Sequence, residues 1–129
     1  MQPSALDIVR KWHAALNEGN VDELVMLVQP DVEIEGPRGV TSGVDVVREW
    51  FGRANVRMQP LRYFQRGDVV VVEQLGEWLS PETREVTSSQ PVSTLFTVSN
   101  GLISRIARYD TLVTALEKAQ LSESDIVSA

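Results

Sequence analysis

The sequence has no cysteine and only one histidine, and each scarcity removes a class of chemistry. Without cysteine there is no disulfide, no thiolate nucleophile and no thiolate ligand for a metal, and the redox compartment cannot be read. With His13 alone, a metal site of the two- or three-histidine kind is not available. Serine catalysis would need His13 beside a serine and an orienting carboxylate, and the spacing points to none. No metal and no cofactor are expected. Basic residues are also few: 12 against 18 acidic, for a net charge of −6, which argues against nucleic acid as a partner. No apolar run approaches the ~20 residues that span a bilayer, so no membrane partner is expected. The start MQPSALDIVRKW lacks a signal-peptide pattern, and a cytoplasmic location is the expectation. Repeats, linkers and low-complexity stretches are missing too, leaving a single domain over residues 1–129.

What is present begins with helices. Ala5, Ile8, Val9, Trp12 and Leu16 fall on one stripe at helical spacing, and Ser4 with Asp7 forms a capping-box arrangement at its start. Gly19-Asn20 ends that helix, and Asn20 with Glu23 repeats the start signal for a second one carrying Val21, Leu24, Val25 and Val28. Pro30-Asp31 stops it. Asp31 to Glu35 alternates as a short strand, Gly36 to Gly39 reads as a loop, and Ser42 with Asp45 predicts the cap of a third helix carrying Val47, Trp50, Phe51 and Ala54.

From Arg57 the pattern is strand. The segments are 57–65, 69–79, 87–99 and 102–109, joined by Arg66-Gly67-Asp68, Ser80 to Thr83 and Asn100-Gly101. Asn-Gly between two β-rich runs is a strong hairpin signal, since both turn residues need positive φ. Leu112, Val113 and Leu116 predict a helix after Asp110, and the tail from Ser122 is expected to fray or to pack on a partner. Helices followed by an antiparallel meander make an α+β fold, a curved sheet wrapped around its helices. Val69 to Val72 is apolar on both faces, so a homodimer is expected, the second subunit covering the outer face.

The run VRKWHAALNEGNVDELVMLVQPDVEIEGP, the helix start SGVDVVREWF and the ending NGLISRIARYD resemble the nuclear transport factor 2-like superfamily, in its SnoaL-like and ketosteroid-isomerase-like group. The resemblance spans roughly residues 4–118 and implies a cone-shaped, cystatin-like fold with a cavity between helices and sheet. It does not imply one activity, because this fold hosts isomerases, hydrolases, cyclases and non-catalytic modules. Ketosteroid isomerases place a tyrosine at the position of Trp12, a basic aspartate at Gly36 and a protonated acid near Ser93, so all three roles are vacant here. Limonene epoxide hydrolases resemble the chain in an aspartate ending the last strand, matched by Asp110. Their second aspartate and their arginine have no counterpart in PVSTLFTV, although Arg108 could stand in for the arginine.

The candidate site residues are Asp110 and Arg108 as a catalytic pair, and Trp12, His13, Trp50, Arg38, Glu73 and Tyr109 as pocket residues. Each has a plainer alternative. Asp110 serves equally as the cap of the last helix, His13 as a packed core histidine, the tryptophans as core, Arg38 as a solvated loop residue, and Glu73 as an edge glutamate paired with an arginine. The expected function is binding of a small apolar or amphipathic molecule in the cone. Any catalysis would be acid/base transfer by Asp110 or Glu73, oriented by Arg108 and Tyr109. The alternative is a non-catalytic accessory module whose cavity is filled by its own side chains. A cavity below a ligand volume of ~300 Å³, closed by Trp12, Trp50 and Leu95, would favour that alternative.

Overall fold

The computed structural model describes residues 4–36 and 39–127. Two helices, α1 (Ala5–Glu18) and α2 (Val21–Met26), lead into a hairpin of β1 (Val28–Gly36) and β2 (Gly39–Ser42). Helix α3 (Val44–Ala54) follows, then β3 (Val56–Arg66), β4 (Val69–Leu79), β5 (Val86–Ser99), β6 (Leu102–Tyr109), α4 (Leu112–Ala119) and a 3-10 turn at Glu123–Asp125. The strands form one curved, open sheet in the order β2-β1-β6-β5-β4-β3. Every pairing is antiparallel except β1 with β6, a difference from the expected meander.

Local chemistry accounts for the element boundaries. Ser4 Oγ accepts the Asp7 amide at 3.1 Å and Asn20 Oδ1 accepts the Glu23 amide at 3.1 Å, so α1 and α2 start where their caps are. Gly19, at φ 77°, closes α1 in the left-handed conformation. The third cap differs from expectation: Ser42 lies in β2, and Gly43 precedes α3 with no side-chain bond. Asn100 and Gly101 have φ of 54° and 79°, the double positive that the β5–β6 hairpin requires.

Helices α1, α2 and α3 lie on one face of the sheet. The α1 stripe of Ile8, Val9, Trp12 and Leu16 packs with Leu24, Val47, Val70, Val72, Phe96 and Ile103 into the main core. Asn17 fastens the helix to the sheet: its amide donates to the Met58 carbonyl and accepts from the Met58 N–H, both at 3.0 Å.

The opposite face corrects an expectation. Phe64, Val71, Leu95 and Ala107 are covered by Ala115 and Leu116 of the chain's own α4, where a second subunit was expected. The tail is likewise packed on the chain itself. Ile126 bridges to Phe64, the Val127 N–H reaches the Tyr63 carbonyl at 2.8 Å, and Arg66 holds Asp125 at 3.0 Å. These bonds cover part of the β3 edge, which would otherwise leave main-chain groups unpaired. No helix among the described residues is long and apolar enough to cross a membrane.

Candidate functional site

Between α1, α3 and the concave face of the sheet lies a cavity of about 230 Å³. Trp12 and Leu16 come to it from α1, Val47 and Trp50 from α3, and Ile34 from β1. The sheet contributes Met58, Gln74, Thr94, Phe96, Ile106 and Arg108, with Glu35 and Gly36 at the end of β1 completing the wall. Alternation along the strands decides which side chains arrive. On β6, Ile106 and Arg108 face the cavity, and Ala107 faces α4. On β5, Thr94 and Phe96 face it and Leu95 does not.

Three polar residues form a row across β4, β5 and β6. Thr94 is the direct cross-strand partner of Arg108, and its hydroxyl donates to Gln74 Oε1 at 2.7 Å. Behind Gln74 is His13, 3% exposed, with Nε2 2.7 Å from Gln74 Nε2 and Nδ1 2.8 Å from the Val9 carbonyl. That carbonyl can only accept, so Nδ1 carries the ring hydrogen and Nε2 accepts from the amide. Desolvation lowers the His13 pKa to about 4, against a smaller opposing pull from the Val9 bond, and so keeps the ring neutral. Edge-on contacts with Phe96 (5.8 Å) and Tyr63 (6.2 Å) fix its plane.

The expected site residues divide. Trp12, Trp50 and Arg108 lie on the cavity wall. His13 does not line the cavity but stands one layer behind it, reaching it only through Gln74. Glu73 is on the opposite face of β4, bidentate with Arg62 at 2.7 and 2.9 Å, and that bond lowers its pKa. Tyr109 also faces away: it packs in the outer cluster and donates to Glu35 Oε2 at 3.0 Å. Burial, and then that bond, raise its pKa.

Asp110 is exposed and does not line the cavity, because β6 ends at Tyr109 and the strand alternation that carries Arg108 inward stops there. It is not the cap of α4 either, since Thr111 accepts the Thr114 amide at 3.2 Å. Arg38 lies outside the described residues. Of the positions matched to the isomerases, Trp12 and Gly36 line the cavity, and on β5 it is Thr94 that does so, with Ser93 on the other face.

Gln74 and Thr94 escaped the sequence reading. Val69 to Val72 is apolar at every position, so it gives no two-residue phase from which to tell whether Glu73 or Gln74 points inward. Among the described residues lining the cavity the only carboxylate is that of Glu35, and it is turned to Arg105 (3.2 Å) and Tyr109. No group of acidic or histidine residues among the described ones is arranged to hold a metal ion.

The sequence pattern of the SnoaL-like domain matches residues 9–106, more than half of the chain. This chain belongs to that family. Solved structures of the SnoaL-like fold agree in architecture at low identity. An NTF2-like protein of unknown function from Cytophaga hutchinsonii is 16% identical at a TM-score of 0.74, over 88% of this chain and 96% of that one. A candidate polyketide cyclase from Sinorhizobium meliloti is 22% identical at 0.69, over 80% and 94%. A Catenulispora acidiphila protein with a ketosteroid isomerase-like fold, crystallised with trimethylamine, is 22% identical at 0.69, over 95% and 96%. No curated protein matches the sequence. These likenesses establish the fold, and the fold alone does not choose an activity.

Proposed function

We propose that this SnoaL-like protein binds a small, largely apolar ring compound between Trp12, Trp50 and Phe96. The observation that carries the reading is the composition of the wall, mostly apolar with Gln74, Thr94 and Arg108 converging at one side. The Sinorhizobium meliloti and Catenulispora acidiphila structures support it by analogy, one named as a candidate polyketide cyclase and the other crystallised with a small molecule. Acid/base catalysis by Asp110 or Glu73 has no support from their positions, so the reading is of binding and orientation. We also propose self-association through the half of the outer face that α4 leaves open, around Leu75 and Pro91.

The reading is tested by titrating monocyclic and bicyclic ring compounds while following the tryptophan indole N–H signals by NMR. Trp12 and Trp50 should shift and Trp78, which does not line the cavity, should not. Ile106→Trp, which fills the cavity, should abolish the response. Equal shifts in that variant, or no response at millimolar concentrations, would reject the proposal.

A second reading is favoured by size. About 230 Å³ falls below the ~300 Å³ at which drug-sized ligands are usually held, as an accessory module would have it. Trp12 and Trp50 nevertheless stand on the wall without closing it, and Leu95 faces α4. The same titration separates the two readings.

A further inference from the structure

The cavity's polar side has a fixed hydrogen-bond polarity, and it can be traced from the core outward. The Val9 carbonyl forces the hydrogen of His13 onto Nδ1, and the buried, neutral ring leaves Nε2 bare. Gln74 must therefore turn its NH₂ group to His13 and its oxygen to Thr94. The Thr94 hydrogen is committed to that oxygen. What remains for a ligand is a second N–H on Gln74, the lone pairs of Thr94, and the guanidinium of Arg108.

Arg108 is the unusual member. Among the described residues Arg48, Arg57, Arg62, Arg66 and Arg105 each have an acidic partner, while Arg10, Arg53, Arg84 and Arg108 have none, and of these four Arg108 alone lines this cavity. A cation on an apolar wall without a counter-charge is costly, and an anion entering beside it removes that cost. Thr94 and Arg108 are direct cross-strand neighbours on one face, so their functional groups meet adjacent atoms of a bound molecule.

We infer that the ligand is a small ring-bearing acid, its carboxylate held by Arg108 and the Gln74 N–H, with a hydroxyl beside the carboxylate donating to Thr94. The inference rests on the binding reading above and adds the chemical class of the ligand.

Three probes of one skeleton test it: phenylacetamide, phenylacetate and mandelate, titrated calorimetrically into the intact protein near neutral pH. Phenylacetate should bind about tenfold more tightly than phenylacetamide, the scale of one charge-assisted bond, and mandelate more tightly than phenylacetate. Arg108→Met should bring the acid-to-amide ratio close to one. A thermal melt checks that this half-buried position has not cost the fold. Equal affinities for acid and amide in the wild-type protein would overturn the inference and leave the cavity reading standing. If none of the three binds and the Trp12 and Trp50 signals stay fixed with every ring compound, the cavity reading fails and the inference fails with it.

Discussion

Protonating His13 would set a second N–H against the Gln74 amide, which already donates to that nitrogen, inside a dry core. The folded ring titrates near 4 and an unfolded histidine near 6.5, so between those values the unfolded chain takes the proton first. The His13 contribution is whole above about pH 6.5, declines as pH falls toward 4 and is constant below. Its full size is on the order of 3 kcal/mol. Urea unfolding at about pH 7 and about pH 5 should show the wild type losing roughly 2 kcal/mol, and His13→Asn should lose clearly less over the same interval. Two carboxylates contribute to the background. Glu73 is held below its usual range by the Arg62 bond, and Asp125 by the Ser122 backbone N–H and then Arg66. Both remain in the variant, so the difference between the proteins isolates His13. Equal slopes would mean that the ring is solvated or differently paired. The sequence placed His13 at the edge of the α1 stripe. Its partner was hidden, because the β4 residue that meets it follows a valine run without phase.

At the level of elements, legibility followed local chemistry. Ser4, Asn20 and the Asn100-Gly101 pair announce their structures because a cap or a turn is decided within four residues. β2 went unread since Gly39–Ser42 is short, exposed along its whole length and gains order only by pairing with β1. The end of β6 is the costliest miss. Extending its alternation by one residue pair carried Asp110 into the cavity, yet the chain turns after Tyr109 to begin α4. The cap is therefore the residue after the one expected. Thr111→Ala should destabilise the protein by about 1 kcal/mol, a fall of several degrees in Tm, because it leaves the Thr114 amide without its acceptor. Asp110→Asn should change stability by less than about 0.5 kcal/mol and leave ring-compound binding untouched. Thermal melts of the two variants side by side check this assignment, and a larger loss in Asp110→Asn would return the capping role to the aspartate.

For the whole molecule, the open question is what meets the outer face of the sheet. The valine run did signal two covered faces, and both are covered, but the outer cover over Val71 is α4 rather than another subunit. The case for a dimer then moves to the other half of that face. There Leu75 pairs with Pro91, which is exposed, and Glu77 next to them sits 3.8 Å from Arg57 with Oε1 shielded from water and lacking a hydrogen bond. A half-buried carboxylate with one poorly satisfied oxygen, beside apolar side chains, suits a surface completed by another chain. A two-fold arrangement needs no further partner, since the same patch meets itself. A net charge of −6 opposes such contact only weakly at physiological salt, where screening acts within about 8 Å. Sedimentation at micromolar concentration should therefore give twice the 14.4 kDa of the chain, and Leu75→Glu should return it to the single mass. Because Leu75 is on the face of the sheet opposite α1 and α3, that variant should keep the Trp12 and Trp50 responses to ring compounds, which separates loss of association from loss of fold. A wild-type mass of 14.4 kDa would show that α4 and solvent suffice to cover the sheet, and the Glu77 oxygen would then be expected to find water in solution.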